Sequence, residues 1–473
     1  MRISQALAAL VTVIALARGQ NLTEQYRSIA DRLIDAALAD NDGYVKLAYL
    51  CDRIGNRLSG SESLVRAIHW SEEQMKKDGL SNVHVIPVKV PHWIRGVESA
   101  RLVAPENQPL HILGLGMSVG TPNGGITGDV VVVSDFDELA KLGRGGIQGK
   151  IVLFNEIYRG YGQTSIYRTA GPSRAAALGA TAVLVRSVTP LAMQIPHTGT
   201  LVYDPAQPKV PAAAVSVEDA LRIARFAADH IAVKVHLEMA ARMEADADAG
   251  DIMGEIPGRE HPEEVVVLGG HVDSWDVGRG AQDDGSGIMA SLEAVALIKK
   301  LGLQPRRTIR VVFWVNEENG GRGGEAYRAW LGDKIKNHVA AIEMDGGAET
   351  PRGFGYGSGG GRGGRRGGEA VAPRLSAGEQ QSIAMLQQIG KLLDRVGAGE
   401  VGPGGGGSDI APLMRDGVPG LGERTTGAHY FDWHHTEADT LDKVDPEDFR
   451  KNIAALAVMS YVLADMPGKI AGQ

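Results

Sequence analysis

From residue 263 onward the chain repeats one order: "EEVVVLGG", an apolar helical stretch from Ile288 to Leu301, "RTIRVVFWVNEEN", then "HVAAIEMDGG". Short β-branched runs separated by helix-length segments specify a parallel or mostly parallel sheet, because every parallel crossover needs a dozen or more residues and a helix supplies them. Such a sheet must be covered on both faces. The expected fold class is therefore α/β, with a mixed, mostly parallel sheet sandwiched by helices. Ligands of these sheets bind in the crevice outside the carboxyl ends of the strands, which says where to look for chemistry.

At 473 residues the chain is long for a single core, so a second unit is expected. Between residues 110 and 240 the texture changes to short β-rich runs set between glycines, "GDVVVVSD", "GKIVLFNE" and "TAVLVRS", with one Ala-rich helical piece at Ser173 to Leu178. We read 110–240 as an inserted β-rich domain and 18–109 with 241–473 as the two parts of the main domain. Ahead of it, Ile29, Leu33, Ile34, Ala37 and Leu38, then Val45, Leu47 and Leu50, predict two helices broken near Asp42-Gly43. At the N-terminus, Arg2, the apolar run Ala6 to Ala17 and the small residues of Ala15-Leu16-Ala17 predict a signal peptide over 1–17, hence export. That run is too short to span a bilayer, so no stable membrane insertion is expected. The sequon Asn21-Leu22-Thr23 is read as chance.

The chemistry gathers at the predicted strand ends. His271 and Asp273 follow the first strand, Asp283 and Asp284 precede the helix, Glu317 and Glu318 end the second strand, and Asp345 ends the third. Near the C-terminus "YFDWHHTEADT" adds His434, His435 and Asp439. Each alone has an ordinary explanation: Asp pairs beside glycines make turns and N-caps, a Glu pair is a solvated strand end, and a His pair packs in a loop. Their joint arrival at one rim is not explained that way. Two imidazoles and several carboxylates at loop positions suit a pair of borderline-hard divalent ions. Cys51 is the only cysteine, which excludes intrachain disulfides and a cysteine-based zinc site. The net charge of −8 is spread along the chain and gives no nucleic-acid footprint.

The motifs "GGHVDSWDVGRGAQDDGSG", "WVNEENGGRGGEAY", "AIEMDGG" and "YFDWHHTEADT" resemble the di-zinc aminopeptidase superfamily. "TPRGFGYG", "GGGGSDIAPLMRDGVPG", "LCDRIGNRLSGS" and "SYVLADM" are similar to its carboxypeptidase Q group in particular. The likeness covers nearly all of the chain after residue 17. It implies a protease-associated domain for the insertion, two zinc ions per chain and a homodimer. Residue by residue, it implies that Asp283 bridges both ions, that His271 and Asp345 complete one site, and that Glu318 and His435 complete the other. His435 rather than His434 fits the family pattern, through His435-Thr436-Glu437-Ala438-Asp439-Thr440. It also implies a cis peptide between Asp283 and Asp284.

Two ions about 3.5 to 4 Å apart activate a water and stabilise the oxyanion formed on a carbonyl, but a separate base must move the proton. Glu317 is the expected base, provided the strand bends at Asn319-Gly320-Gly321 so that neighbouring carboxylates address one site. Asp273 is expected to accept the second N–H of His271. Tyr430 is a candidate hydroxyl near the oxyanion, and Asp276 and Ser408 are candidate pocket residues. The Gly/Arg-rich run 353–370 reads as a mobile loop rather than an RNA-binding segment. The expected function is an exported zinc exopeptidase acting on dipeptides or short peptides with a free N-terminus. The alternatives are a catalytically silent binding or receptor-like protein on the same fold and a single-zinc cyclase-type acyltransferase. The complete ligand set disfavours both.

Overall fold

A computed structural model describes residues 21–357 and 375–471. The predicted signal peptide, and the run 353–370 beyond Gly357, lie outside the described residues. β1 (Ser81–Ile94) opens the larger sheet. The chain then leaves it for β2 (Glu98–Ala104), β3 (Gln108–Leu110), β4 (Ile112–Gly114), β5 (Ile126–Val133), β6 (Ile151–Phe154), β7 (Ala182–Arg186), β8 (Ala212–Val215) and β9 (Lys234–Met239). It returns in β10 (Arg242–Ile256), β11 (His261–His271), β12 (Arg307–Trp314), β13 (His338–Glu343), β14 (Pro351–Tyr356), β15 (Glu400–Pro403) and β16 (Gly420–Thr425). Among the described residues these make two eight-stranded sheets, ordered β1-β10-β12-β11-β13-β16-β14-β15 and β3-β2-β9-β5-β6-β7-β8-β4.

The larger sheet is mixed. β12, β11, β13 and β16 run parallel at its centre, whereas β1, β10 and β12 are joined antiparallel and β14 returns antiparallel to β16. Val265, Val266, Val267 and Leu268 of β11 are all buried, because helices cover both faces of a central parallel strand. The helix Ser286–Lys300 is buried along nearly its whole length under the helices Leu22–Ala39 and Pro446–Asp465, which accounts for its apolar residues all round. The chain goes from β11 to β12 on one side and then to β13 on the other. The strand order therefore reverses at β11, and a crevice opens there.

Three expectations are corrected. The second sheet begins at Glu98 rather than at 110, because β2 pairs along β9 and β3 pairs along β2, so these strands complete the inserted sheet. The first two helices part at Asp40-Asn41, where Asp40 leaves helical geometry, and not at Asp42-Gly43, which opens the helix Asp42–Tyr49. The start of the Gly/Arg-rich run is strand: Gly353 to Tyr356 pair with β15 and β16, and Phe354 and Tyr356 are core residues. No helix of the described residues is long and apolar enough to cross a membrane.

Candidate metal centre

Strand register brings the candidate ligands level. His271 lies opposite Trp314 and Gly269 opposite Glu343, so Asp345, two residues beyond Glu343, comes level with His271. His271 Nε2 is 3.2 Å from Asp283 Oδ1 and 3.4 Å from Asp345 Oδ1. His435 Nε2 is 3.1 Å from Asp283 Oδ2 and 3.0 Å from Glu318 Oε2. The two oxygens of Asp283 thus face two different imidazoles. His434 is drawn in more closely than the sequence implied: its Nε2 is 3.3 Å from Asp283 Oδ2, and its ring stacks on His435 with centroids 3.5 Å apart. A small cavity against this cluster is lined by Trp275, Asp283, Glu318, His435, Thr436 and Asp439.

The loop carrying Asp283 is held from several directions. Asp439 accepts the backbone N–H groups of Ala281, Gln282 and Asp283 at 3.1, 2.7 and 3.2 Å. Asp284 points away beneath the strand end, accepting the N–H groups of His271 and Gly287, each at 3.1 Å. A Cβ on Gly270 would come within 1.9 Å of the Asp284 carboxylate, so glycine is what leaves room for it. The Asp283-Asp284 peptide is cis. Arg57, fully buried, donates to the carbonyls of Gly55, Val272, Arg279 and Gly280 and ties the strand end to the loop. Nothing in the local sequence around Arg57 announces this role.

Asp273 departs from its expected contact. Its backbone carbonyl lies 3.0 Å from His271 Nδ1, while its carboxylate is 3.8 Å away. The carboxylate instead accepts the N–H groups of Glu317 and Glu318 at 3.2 and 3.4 Å. The bend that turns the Glu pair also lies elsewhere, at Asn316 (φ 68°) and before the pair rather than after it. Asn tolerates this left-handed conformation better than most residues. Its side chain braces the turn through Ser59, Asn319 and the N–H of Arg322. Glu318 is consequently buried beside His435, and Glu317 keeps partial exposure.

The remaining candidates divide. Tyr430 is buried, with its ring packed against His434 and Phe431. Asp276 is gripped bidentately by Arg95 at 2.6 and 2.8 Å. Ser408 is exposed. Its neighbours Asp409 and Ile410 donate their N–H groups to buried Glu343, each at 3.0 Å.

The donor set fits a divalent metal. His271, Asp283 and Asp345 form one group whose ligand atoms lie within 4.8 Å of one another, and Asp283, His434 and His435 form another. Nε2 of His271, Nε2 of His435 and Oε1 of Glu318 are buried without a hydrogen-bond partner, which native interiors seldom tolerate unless something fills the position. Nitrogen and oxygen donors without thiolate suit zinc and its neighbours. Burial pushes Asp273 up to about 6 and Asp439 up to about 7; burial and the Asp283 charge push Glu318 up to about 7. Burial lowers the imidazole of His435, but the carboxylate of Glu318 and its neighbours outweigh this and raise it to about 10.

These shifts set a pH dependence. Carboxyls raised above their unfolded values near 4 bind protons more tightly in the folded state, and so does an imidazole raised above 6.5. Metal-free protein therefore loses stability as pH rises from about 4 to 8. Metal binding requires the candidate ligands among them, Glu318 and His435, deprotonated, so affinity rises with pH, by about tenfold per unit for each proton displaced. Thermal melts at pH 5 and pH 8 should show a wider gap between metal-loaded and metal-free protein at pH 8. A gap that narrows at pH 8 would contradict the assignment.

Comparison with known proteins places this geometry in a family. The profile of peptidase family M28 matches residues 251–460. Carboxypeptidase Q of Bos taurus is 40% identical over 444 residues, covering 93% of this chain and 90% of that protein. The crystal structure of a peptidase M28 precursor from Shewanella amazonensis SB2B superposes with a TM-score of 0.87 at 30% identity, covering 95% of this chain and 98% of that one. BSAP, a zinc aminopeptidase from Bacillus subtilis, shares the fold with a TM-score of 0.63 at 17% identity, covering 91% of this chain and 96% of that one. The chain belongs to peptidase family M28, resembles carboxypeptidase Q over almost its whole length, and is a hydrolase of the metallo-exopeptidase class.

Proposed function

We propose that this protein is an exported exopeptidase that binds two zinc ions per chain and hydrolyses dipeptides or short peptides with a free N-terminus. The observation that carries the reading is Asp283, whose two carboxylate oxygens face His271 and His435 on opposite sides. In this reading His271, Asp283 and Asp345 would hold one ion, and Asp283, Glu318 and His435 would hold the other. Zinc bound there would polarise the scissile carbonyl and make a water acidic enough to attack it.

The chain's own groups do the rest. Glu317, partly exposed and not needed as a ligand, takes the proton from the attacking water and returns it to the leaving amine. Asp273 positions it by holding the N–H groups of the Glu317-Glu318 pair. Asp439 keeps the Asp283 loop in place. Trp275, with its ring centroid 5.6 Å from that of His435, walls the cavity and helps exclude bulk water. The inserted sheet is read as a protease-associated domain, and the assembly as a homodimer. Light scattering giving the mass of one chain would refute the dimer.

The test is hydrolysis of matched free and N-acetylated dipeptides, before and after chelation and with zinc restored. Only the free peptides should be cleaved, chelator should abolish cleavage, and zinc should recover it. Cleavage that persists after thorough chelation would sink the proposal.

A further inference from the structure

We infer that the inserted sheet region is a working part of the metal centre, because its segment at Thr198, held by Arg168, sets the orientation and tautomer of His435. The inference rests on the proposal that His435 is a metal ligand. Contact between the two parts runs both ways along the backbone. The N–H of Thr198 donates to the carbonyl of His435 at 3.0 Å, and His435 Nδ1 lies 3.3 Å from the carbonyl oxygen of Thr198. A carbonyl can only accept, so Nδ1 must carry the proton. Nε2, facing the carboxylates of Asp283 and Glu318, is then the nitrogen that gives up its proton when a metal binds. A ligating imidazole whose other nitrogen is fixed in this way is already oriented before the metal arrives.

The acceptor is itself immobilised. Arg168 is buried at 4% exposure and donates from Nη1 to the same Thr198 carbonyl at 3.1 Å. Its Nη2 donates to the Tyr161 hydroxyl at 2.7 Å. The Tyr161 ring stands nearly perpendicular to those of His434 and His435, with centroids 4.9 and 6.4 Å away. The guanidinium reaches the carbonyl only because residue 199 is glycine, where a Cβ would come within 2.3 Å of Arg168 Cζ. On the other side, Thr198 Oγ1 donates to the carbonyl of Gly114 at 2.8 Å, and Gly114 lies at the end of β4. Thr198 is thus held between a strand of the inserted sheet and a buried arginine. Burying an arginine is costly, and the two terminal nitrogens of this guanidinium are both spent on this corner, on the Thr198 carbonyl and the Tyr161 hydroxyl, while its Nε is left without a partner.

Arg168 is accordingly a positioning residue for one of the two ions, the one assigned to His435 and Glu318. The other set, His271 and Asp345, comes from strand ends of the main sheet and does not depend on this clamp. The experiment is a zinc titration of the full chain against a competing chelator, with zinc counted after dialysis, for wild type, Arg168→Met, Arg168→Lys, Tyr161→Phe and His435→Ala. Arg168→Met should weaken one of two zinc ions by about 10- to 100-fold and leave the other at its wild-type affinity. Arg168→Lys, which keeps a donor for Thr198, should recover part of the loss. A general loosening of the fold would weaken both ions together and overturn the inference. So would a folded Arg168→Met protein that holds both ions as wild type does. If Arg168→Met does not fold, Tyr161→Phe decides: selective weakening of one ion supports the clamp, and unchanged binding of both overturns it. A His435→Ala protein that still binds two ions would refute the ligand assignment itself, and this inference with it.

Discussion

Glu317→Gln is expected to lower kcat by about 10²- to 10⁴-fold while zinc content and melting temperature stay near wild type. Glu317 follows the turn at Asn316, and its backbone is held by Asp273, so the isosteric amide leaves the local fold intact. An amide neither accepts the proton of the attacking water nor returns it to the amine, so the loss falls on kcat more than on KM. The companion substitution Glu318→Gln should behave differently, since Glu318 lies 3.0 Å from His435 and is buried. It should lose zinc first and activity in consequence. Steady-state kinetics with metal analysis on both variants separates the roles. A Glu317→Gln protein with near-native kcat would remove Glu317 as the base.

Asp283→Ala should have the other largest effect, the loss of both ions together. Its oxygens lie 3.2 Å from His271 and 3.1 Å from His435, so in the proposed centre one side chain would serve both ions. His271→Ala and His435→Ala should each weaken chiefly one ion. Retention of one tightly bound ion in Asp283→Ala would exclude a bridging role.

Much of this centre is legible along the chain for a physical reason. A central parallel strand must be apolar and must end abruptly, so the residues just past Leu268, Trp314 and Glu343 announce themselves as crevice residues. The sequence by itself determined the sheet class, the crevice, and the cluster of His and carboxylate side chains at its rim. These follow from local periodicity and from which residue types follow a strand. It did not determine where the inserted sheet starts, because that depends on β2 finding β9 more than a hundred residues later. Nor did it determine that the carboxylate of Asp273 serves the Glu pair while its carbonyl faces His271, or that the turn is made at Asn316. The contact between His435 and Thr198 joins residues 237 positions apart, and Arg57 gathers carbonyls from segments more than two hundred residues away. Backbone carbonyls and N–H groups are the same for every residue type and leave no mark in a sequence. Which of them meets a given side chain was decided only when the two sheets packed around the crevice.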